Sequence, residues 1–167
     1  MTATVPLTKG LQALVDDEDL ELVLAAGPWC ADKISHTIYA VHSRYNLGRV
    51  RQVLMHRLIM DAAPGQQIDH VNRDGLDNRR ANLRFCTASQ NRGNQAKFRG
   101  VSQYKGVVWD RSRNLWSARI GHQGRTLYLG RFVSEEDAAR AYDKAACEKW
   151  GEFARLNFPL DTPTGLC

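Results

Sequence analysis

The sequence predicts an α+β chain: a strand–loop–strand–helix (ββα) unit, then a three-stranded antiparallel sheet packed on one helix. Three observations carry this. YKGVVWD, LWSARIG and RTLYLGRF are short runs of β-branched and aromatic residues separated by turn-rich stretches. SEEDAARAYDKAACEKWG then repeats its apolar positions at helical spacing. Upstream, QQIDHVNRDGLDNRRANLRFCTASQNRGN is polar and turn-dense between two short apolar stretches.

The elements follow in chain order. VPLTKGLQALV holds a Lys-Gly turn between apolar runs, as in a hairpin. Asp16 to Asp19 open LELVLAA and Gly27-Pro28 close it, which are helix boundary signals. TIYAVHSR and RVRQVLMH alternate as strands, with a turn near Asn46-Leu47-Gly48. Residues 1–54 thus form a β-rich segment with no evident chemistry. Residues 55–94 form the ββα unit, 95–103 a basic linker, 104–159 the sheet-and-helix module and 160–167 a tail.

Composition narrows the classes. With 43% hydrophobic and 25% charged residues the chain is globular rather than disordered. Cys30, Cys86, Cys147 and Cys167 lie far apart with no C-x-x-C pair, so neither a four-thiolate zinc nor a disulfide framework is expected. MTATVPLTKG lacks an apolar leader run, and no segment reaches membrane-spanning length. The expected location is the cytoplasm of a bacterial or phage-infected cell, without secretion and without a membrane partner.

The net charge of +5 is unevenly spread. Residues 55–101 carry eight basic and four acidic side chains, and residues 102–133 carry six basic ones and Asp110 alone. The first flank is near-neutral, with six acidic against five basic residues over 1–54, and the last is acidic, with seven against four over 134–167. A positive middle of this kind fits a polyanion.

Cutting a phosphodiester needs a base for the attacking water and positive charge for the phosphate. In the middle segment His70 is the natural base near neutral pH. Asp69 and Asn91 offer oxygen ligands suited to a hard cation, Mg²⁺ or Mn²⁺, as a single ion. Thr87 or Ser89 can cap the helix that carries Asn91. Arg79, Arg80, Arg84, Arg92, Lys97 and Arg99 have no acidic residue among them and are expected to contact phosphates. The linker that holds Lys97 and Arg99 is expected to be flexible and to follow the DNA backbone.

Asp69-His70, with Asn82 12 residues and Asn91 21 residues after the histidine, resembles the HNH (ββα-metal) nuclease family. The likeness is to the homing branch of phage introns and covers residues 55–94. It implies that His70 is the general base, that Asp69 and Asn91 hold the metal against the scissile phosphate, and that Asn82 braces the loop. His56, in Met55-His56-Arg57-Leu58-Ile59, takes a supporting part in packing or phosphate contact. The motif ends in Asn91 rather than His, unlike the colicin-type branch, and a cysteine zinc knuckle is absent.

In the last module Ser134 and Asp137 suit an N-terminal cap. Ala138, Ala141, Tyr142, Ala145, Ala146 and Trp150 share a helix face, and Gly151 stops it. Alternation assigns Trp116, Ile120, Leu127 and Leu129 to the core. Lys105, Arg119, Thr126 and Tyr128 then face outward, with Arg111, Arg113 and Arg125 at turns.

Tyr104-Lys105-Gly106-Val107, Trp116, Leu129-Gly130-Arg131-Phe132, Glu135 to Asp143 and Leu156-Asn157-Phe158-Pro159 resemble the Apetala2/ethylene-response-factor DNA-binding domain over about residues 102–159. The resemblance implies that the sheet enters the major groove of double-stranded DNA. Charge agrees, since the strands total +5 and the helix with its tail −3. Where plant members carry base-reading arginines on the first strand, this chain holds Val108 and Asp110, so the plant recognition site does not transfer.

The expectation is therefore a divalent-metal-dependent DNA endonuclease of homing type, nicking as a monomer or weak dimer. The rivals are a non-catalytic DNA-binding regulator with a scaffold-only HNH unit, and a purely structural protein.

Overall fold

Short alternating runs joined by tight turns give this chain small sheets rather than one large one. The computed structural model describes residues 1–46, 49–95 and 100–159. It divides into two compact units, Met1–Thr87 and Ala88–Cys167.

In the first unit β1 (Thr2–Pro6) and β2 (Gln12–Asp16) form the antiparallel hairpin. Its turn uses left-handed backbone at Lys9 and Gly10, with φ 63° and 68°. The helix α1 (Leu20–Ala26) ends at Gly27, as the boundary signals indicate. A second sheet runs in the order β3-β4-β5: β3 (Cys30–Ile34), β4 (Thr37–Asn46) and β5 (Arg49–Leu54). The turn expected at Asn46-Leu47-Gly48 lies partly outside the described residues.

Two elements depart from the expectation. CADKI buries only Ala31 among its side chains, too little alternation to announce β3. The strand RVRQVLMH stops at Leu54, and Met55–Ile59 forms the short helix α2, which buries Met55, His56 and Ile59. Those positions follow helical rather than twofold spacing, over too few residues to outweigh the preceding alternation.

Then β6 (Gln67–His70) pairs with β7 (Leu83–Cys86), closing the loop between them. One apolar cluster joins Val5, Val15, Val23, Trp29, Met55, Ile59, Ile68 and Leu83. The N-terminal segment and the β6–β7 hairpin therefore share a core, and the former is the latter's scaffold.

The second unit opens with α3 (Ala88–Asn94). Its sheet runs β10-β9-β8, all antiparallel: β8 (Val107–Asp110), β9 (Leu115–His122) and β10 (Arg125–Phe132). Helix α4 (Glu135–Trp150) starts under a cap in which Ser134 Oγ accepts from the amides of Glu136 and Asp137.

Small residues let the sheet and helix approach closely. Ala118 and Val107 meet Ala138 and Ala139, and Ile120 meets Tyr142, Ala145, Ala146 and Trp150. Leu129 and Trp116 pack on these clusters, but Leu127 is 37% exposed, which corrects its assignment to the core. Leu127 stands opposite the buried Ile120 but near the start of β10, and neither cluster packed on α4 includes it. Asp143 fastens the end of the module, accepting from the amides of Asn157 at 2.8 Å and Phe158 at 2.9 Å.

Candidate active site

Asp69 and His70 end the strand β6 opposite Arg84 and Leu83 of β7. Both are buried, each 6% exposed. Asp69 Oδ2 accepts from Arg84 Nε at 3.0 Å and from its terminal amino group at 2.9 Å, which fixes the carboxylate's orientation. The His70 ring meets the His56 ring edge-on, centroids 4.9 Å apart, and Tyr39 tilts against both at 5.5 and 5.8 Å. Burial pushes the His70 pKa below its ordinary value, while the Asn78 side chain and the carboxylates of Asp69, Asp74 and Asp77 pull it upward.

The loop between β6 and β7 is tied from within. Asn82 Oδ1 accepts from the Asn72 amide at 2.9 Å, and its Nδ2 donates to Asn72 Oδ1 at 3.0 Å and Asp77 O at 2.7 Å. Asn72 Nδ2 donates to Asp77 Oδ2, and Arg79 clasps the same carboxylate at 2.8 and 2.6 Å. The hairpin strand β2 holds the loop from outside: Leu14 N donates to Leu76 O, and Asn78 N donates to Leu14 O, both at 2.8 Å. Replacing Asn82 by Ala strips partners from buried groups, so Asn82→Ala is expected to destabilise the first unit by about 2–3 kcal/mol. Chemical denaturation against the wild type measures this; a loss within ±0.5 kcal/mol contradicts the bracing role.

Three arginines expected on phosphates make ion pairs within the protein, with the Arg79 and Arg80 side chains still 40% and 46% exposed. Arg79 pairs with Asp77. Arg84 pairs with Asp69. Arg80 donates its guanidinium to Asp19 at 2.9 and 2.7 Å, and its amide to Asp16 at 2.8 Å. The stretch from 79 to 99 contains no carboxylate, but folding brings these in from residues up to 64 positions away. Arg92 is exposed on α3, whereas Lys97 and Arg99 lie outside the described residues.

Asn91 lies on α3, in the second unit. That helix is anchored within its own unit: Trp150 Nε1 donates to Ser89 Oγ at 3.0 Å, and Arg155 N to Gly93 O at 3.1 Å. The outward placement of Lys105 is corrected. Its ammonium donates to Gly93 O and sits 5.9 and 5.7 Å from the Tyr142 and Trp150 rings, on the helix side rather than the open face of the sheet. Arg119, Thr126 and Tyr128 are exposed on that open face, and Arg111, Arg113 and Arg125 are exposed at the turns.

Residues 53–92 match the model of the HNH endonuclease family, and residues 97–152 match that of the AP2 domain. The chain joins an HNH unit to an AP2 domain. Curated relatives align with the second part. An AP2-like ethylene-responsive transcription factor of Arabidopsis thaliana is 44% identical over 64 residues, 38% of this chain and 20% of its own length. The Arabidopsis thaliana ethylene-responsive transcription factor WRI1 is 43% identical over 68 residues, 41% of this chain and 15% of its length. The chain thus spans a fifth or less of these relatives.

In the first unit the Asp69 carboxylate is an oxygen donor of the kind that suits a hard divalent cation. A buried amide oxygen, Asn78 Oδ1, lies in the loop between β6 and β7. Among the described residues the carboxylates close enough to share an ion are Asp16, Glu18 and Asp19. Arg80 ion-pairs with Glu18 and Asp19 of that cluster, which anchors the loop.

His56, Tyr39 and Asn78 were not singled out as partners of His70 by sequence, since they come from α2, β4 and the loop and meet only on folding. Burial first, then the charges of His70 and Arg57, push the His56 pKa down to about 3. A depressed histidine favours the neutral fold, so its contribution is complete above the unfolded pKa of about 6.5. It is lost as pH falls from there toward about 3. Melting of the HNH unit is expected to fall over that window, and His56→Gln is expected to flatten the slope. An unchanged slope in the variant contradicts the assignment.

Proposed function

We propose that this chain is a divalent-metal-dependent DNA endonuclease of homing type, which nicks DNA near a site held by the open face of its AP2 sheet. The reading is carried by Asp69-His70, buried at the end of β6 beside a loop laced by Asn82, inside the residues that match the HNH endonuclease.

His70 takes the proton of the attacking water. Burial lowers its pKa, which keeps the imidazole in the neutral, proton-accepting form at neutral pH. Asp69, oriented by Arg84, and Asn91 would hold one Mg²⁺ or Mn²⁺ ion. When bound, that ion supplies positive charge to the phosphate. His56 and Tyr39 pack the base in place. The positively charged sheet module keeps the duplex bound, and its likeness to plant transcription factors supports that part.

Incubating supercoiled plasmid with the purified chain and Mg²⁺ or Mn²⁺ tests this. Open circles that EDTA prevents are expected; binding without cleavage across metals and substrates would leave the regulator reading, which the transcription-factor relatives favour.

A further inference from the structure

The open face of the AP2 sheet carries a charge pair that the charge pattern did not single out. Across the sheet Asp110 stands opposite Leu115, Ser117 opposite Arg131, and Arg119 opposite Tyr128. Val107, Ala118 and Ile120, on the other face, pack on α4. Strands β8 and β10 are the two edges, with β9 between them. Arg131 Nε nevertheless donates to Asp110 Oδ2 at 3.0 Å.

Two strand spacings amount to roughly 9–10 Å, so the Arg131 side chain must lie across β9 to make that bond. The residue opposite Arg131 is Ser117, small enough to lie beneath it and 1% exposed although it points to the open face. The Arg131 guanidinium is therefore set over the middle strand rather than swinging from the edge.

The brace is prepared before Arg131 arrives. Asp110 Oδ1 accepts from the amide of Ser112 at 3.2 Å and its hydroxyl at 2.7 Å, so its own turn orients the carboxylate. The Tyr128 ring supports the guanidinium from the side, 5.2 Å from centroid to Cζ. A bond through Nε uses the side edge of the guanidinium and leaves its end edge, made by one N–H from each terminal amino group, beyond the brace. Those groups form the edge that matches guanine O6 and N7 in the major groove.

We propose that Arg131, braced by Asp110 and Tyr128, reads a guanine of the bound duplex. The proposal rests on the reading that the sheet faces DNA. It gives Asp110 a use on a strand whose position no longer carries an arginine: it holds the reader instead of being one. A mere strand fastener needs only opposite charges, whereas a reader needs the planar fork.

The test selects duplexes from a random-sequence library with the full chain in EDTA, then measures binding to the preferred site and to copies with single G·C pairs changed to A·T. The wild type is expected to lose about ten- to a hundredfold in affinity at one G·C pair. Arg131→Lys, which keeps the charge, is expected to erase that preference with the salt slope and melting temperature nearly unchanged. Asp110→Asn is expected to weaken the same preference in part.

A preference that persists in Arg131→Lys overturns the proposal. So does a uniform loss of affinity across all sequences with a shallower salt slope, which marks a phosphate contact. A wild type that does not bind DNA removes the sheet-on-DNA reading and this proposal together. Failure to cut plasmid in Mg²⁺ removes the nuclease reading alone and leaves the binding pattern in EDTA standing.

Discussion

His70→Ala is expected to lower the rate of plasmid nicking by about 10²–10⁴-fold, the usual worth of a positioned general base, and to leave DNA binding in EDTA unchanged. Two buried histidines sit in edge-on contact, so the prediction must choose between them. His56, with its pKa near 3, is a feeble proton acceptor. Burial lowers His70 too, but three aspartates and Asn78 oppose the shift, and only His70 adjoins the oxygen donor Asp69. His56→Gln should therefore change stability and its pH dependence more than chemistry. His70→Gln, which roughly preserves volume, separates lost chemistry from a cavity in the packed ring cluster. Cleavage by both His70 variants at the wild-type rate, with normal melting, would remove the base from this assignment.

The two modules were legible because each rests on local pattern. The AP2 strands alternate, the helix repeats small residues, and the Asp-His-Asn-Asn spacing sits between turn residues. The partners of those residues were not legible. Arg79, Arg80 and Arg84 look like a free basic run in one dimension, yet Asp77, Asp19 and Asp69 claim them in three. Lys105 precedes a strand and looked outward, but α3 supplies a carbonyl and the rings of α4 a cradle. The bulge at Tyr128–Gly130 breaks strict alternation along β10, and Arg131, just beyond it, was not singled out. Tyr39 gave no signal, because an aromatic in an alternating strand is ordinary core.

Gly106→Ala is expected to unfold the second unit or bring it close to unfolding, and with it to abolish DNA binding. Gly106 has φ +79°, and a Cβ there would fall 1.9 Å from Tyr142 Cδ2 on the buried face of α4. Two costs add: left-handed strain of roughly 1–3 kcal/mol and overpacking of roughly 1–3 kcal/mol or more. The ring cannot yield easily, since Tyr142 is 3% exposed and packed with Ile120, Ala145, Ala146 and Trp150. A small domain has only about 5–15 kcal/mol in hand, so the combined cost takes a large part of it. Gly124→Ala is the internal control, because Gly124 has φ +74° but no atom within 4 Å of its Cβ. It should show the backbone strain alone and keep its DNA affinity. Equal melting temperatures for the two variants would mean that contact with Tyr142 adds nothing, and that the sheet and helix are not locked together at this glycine.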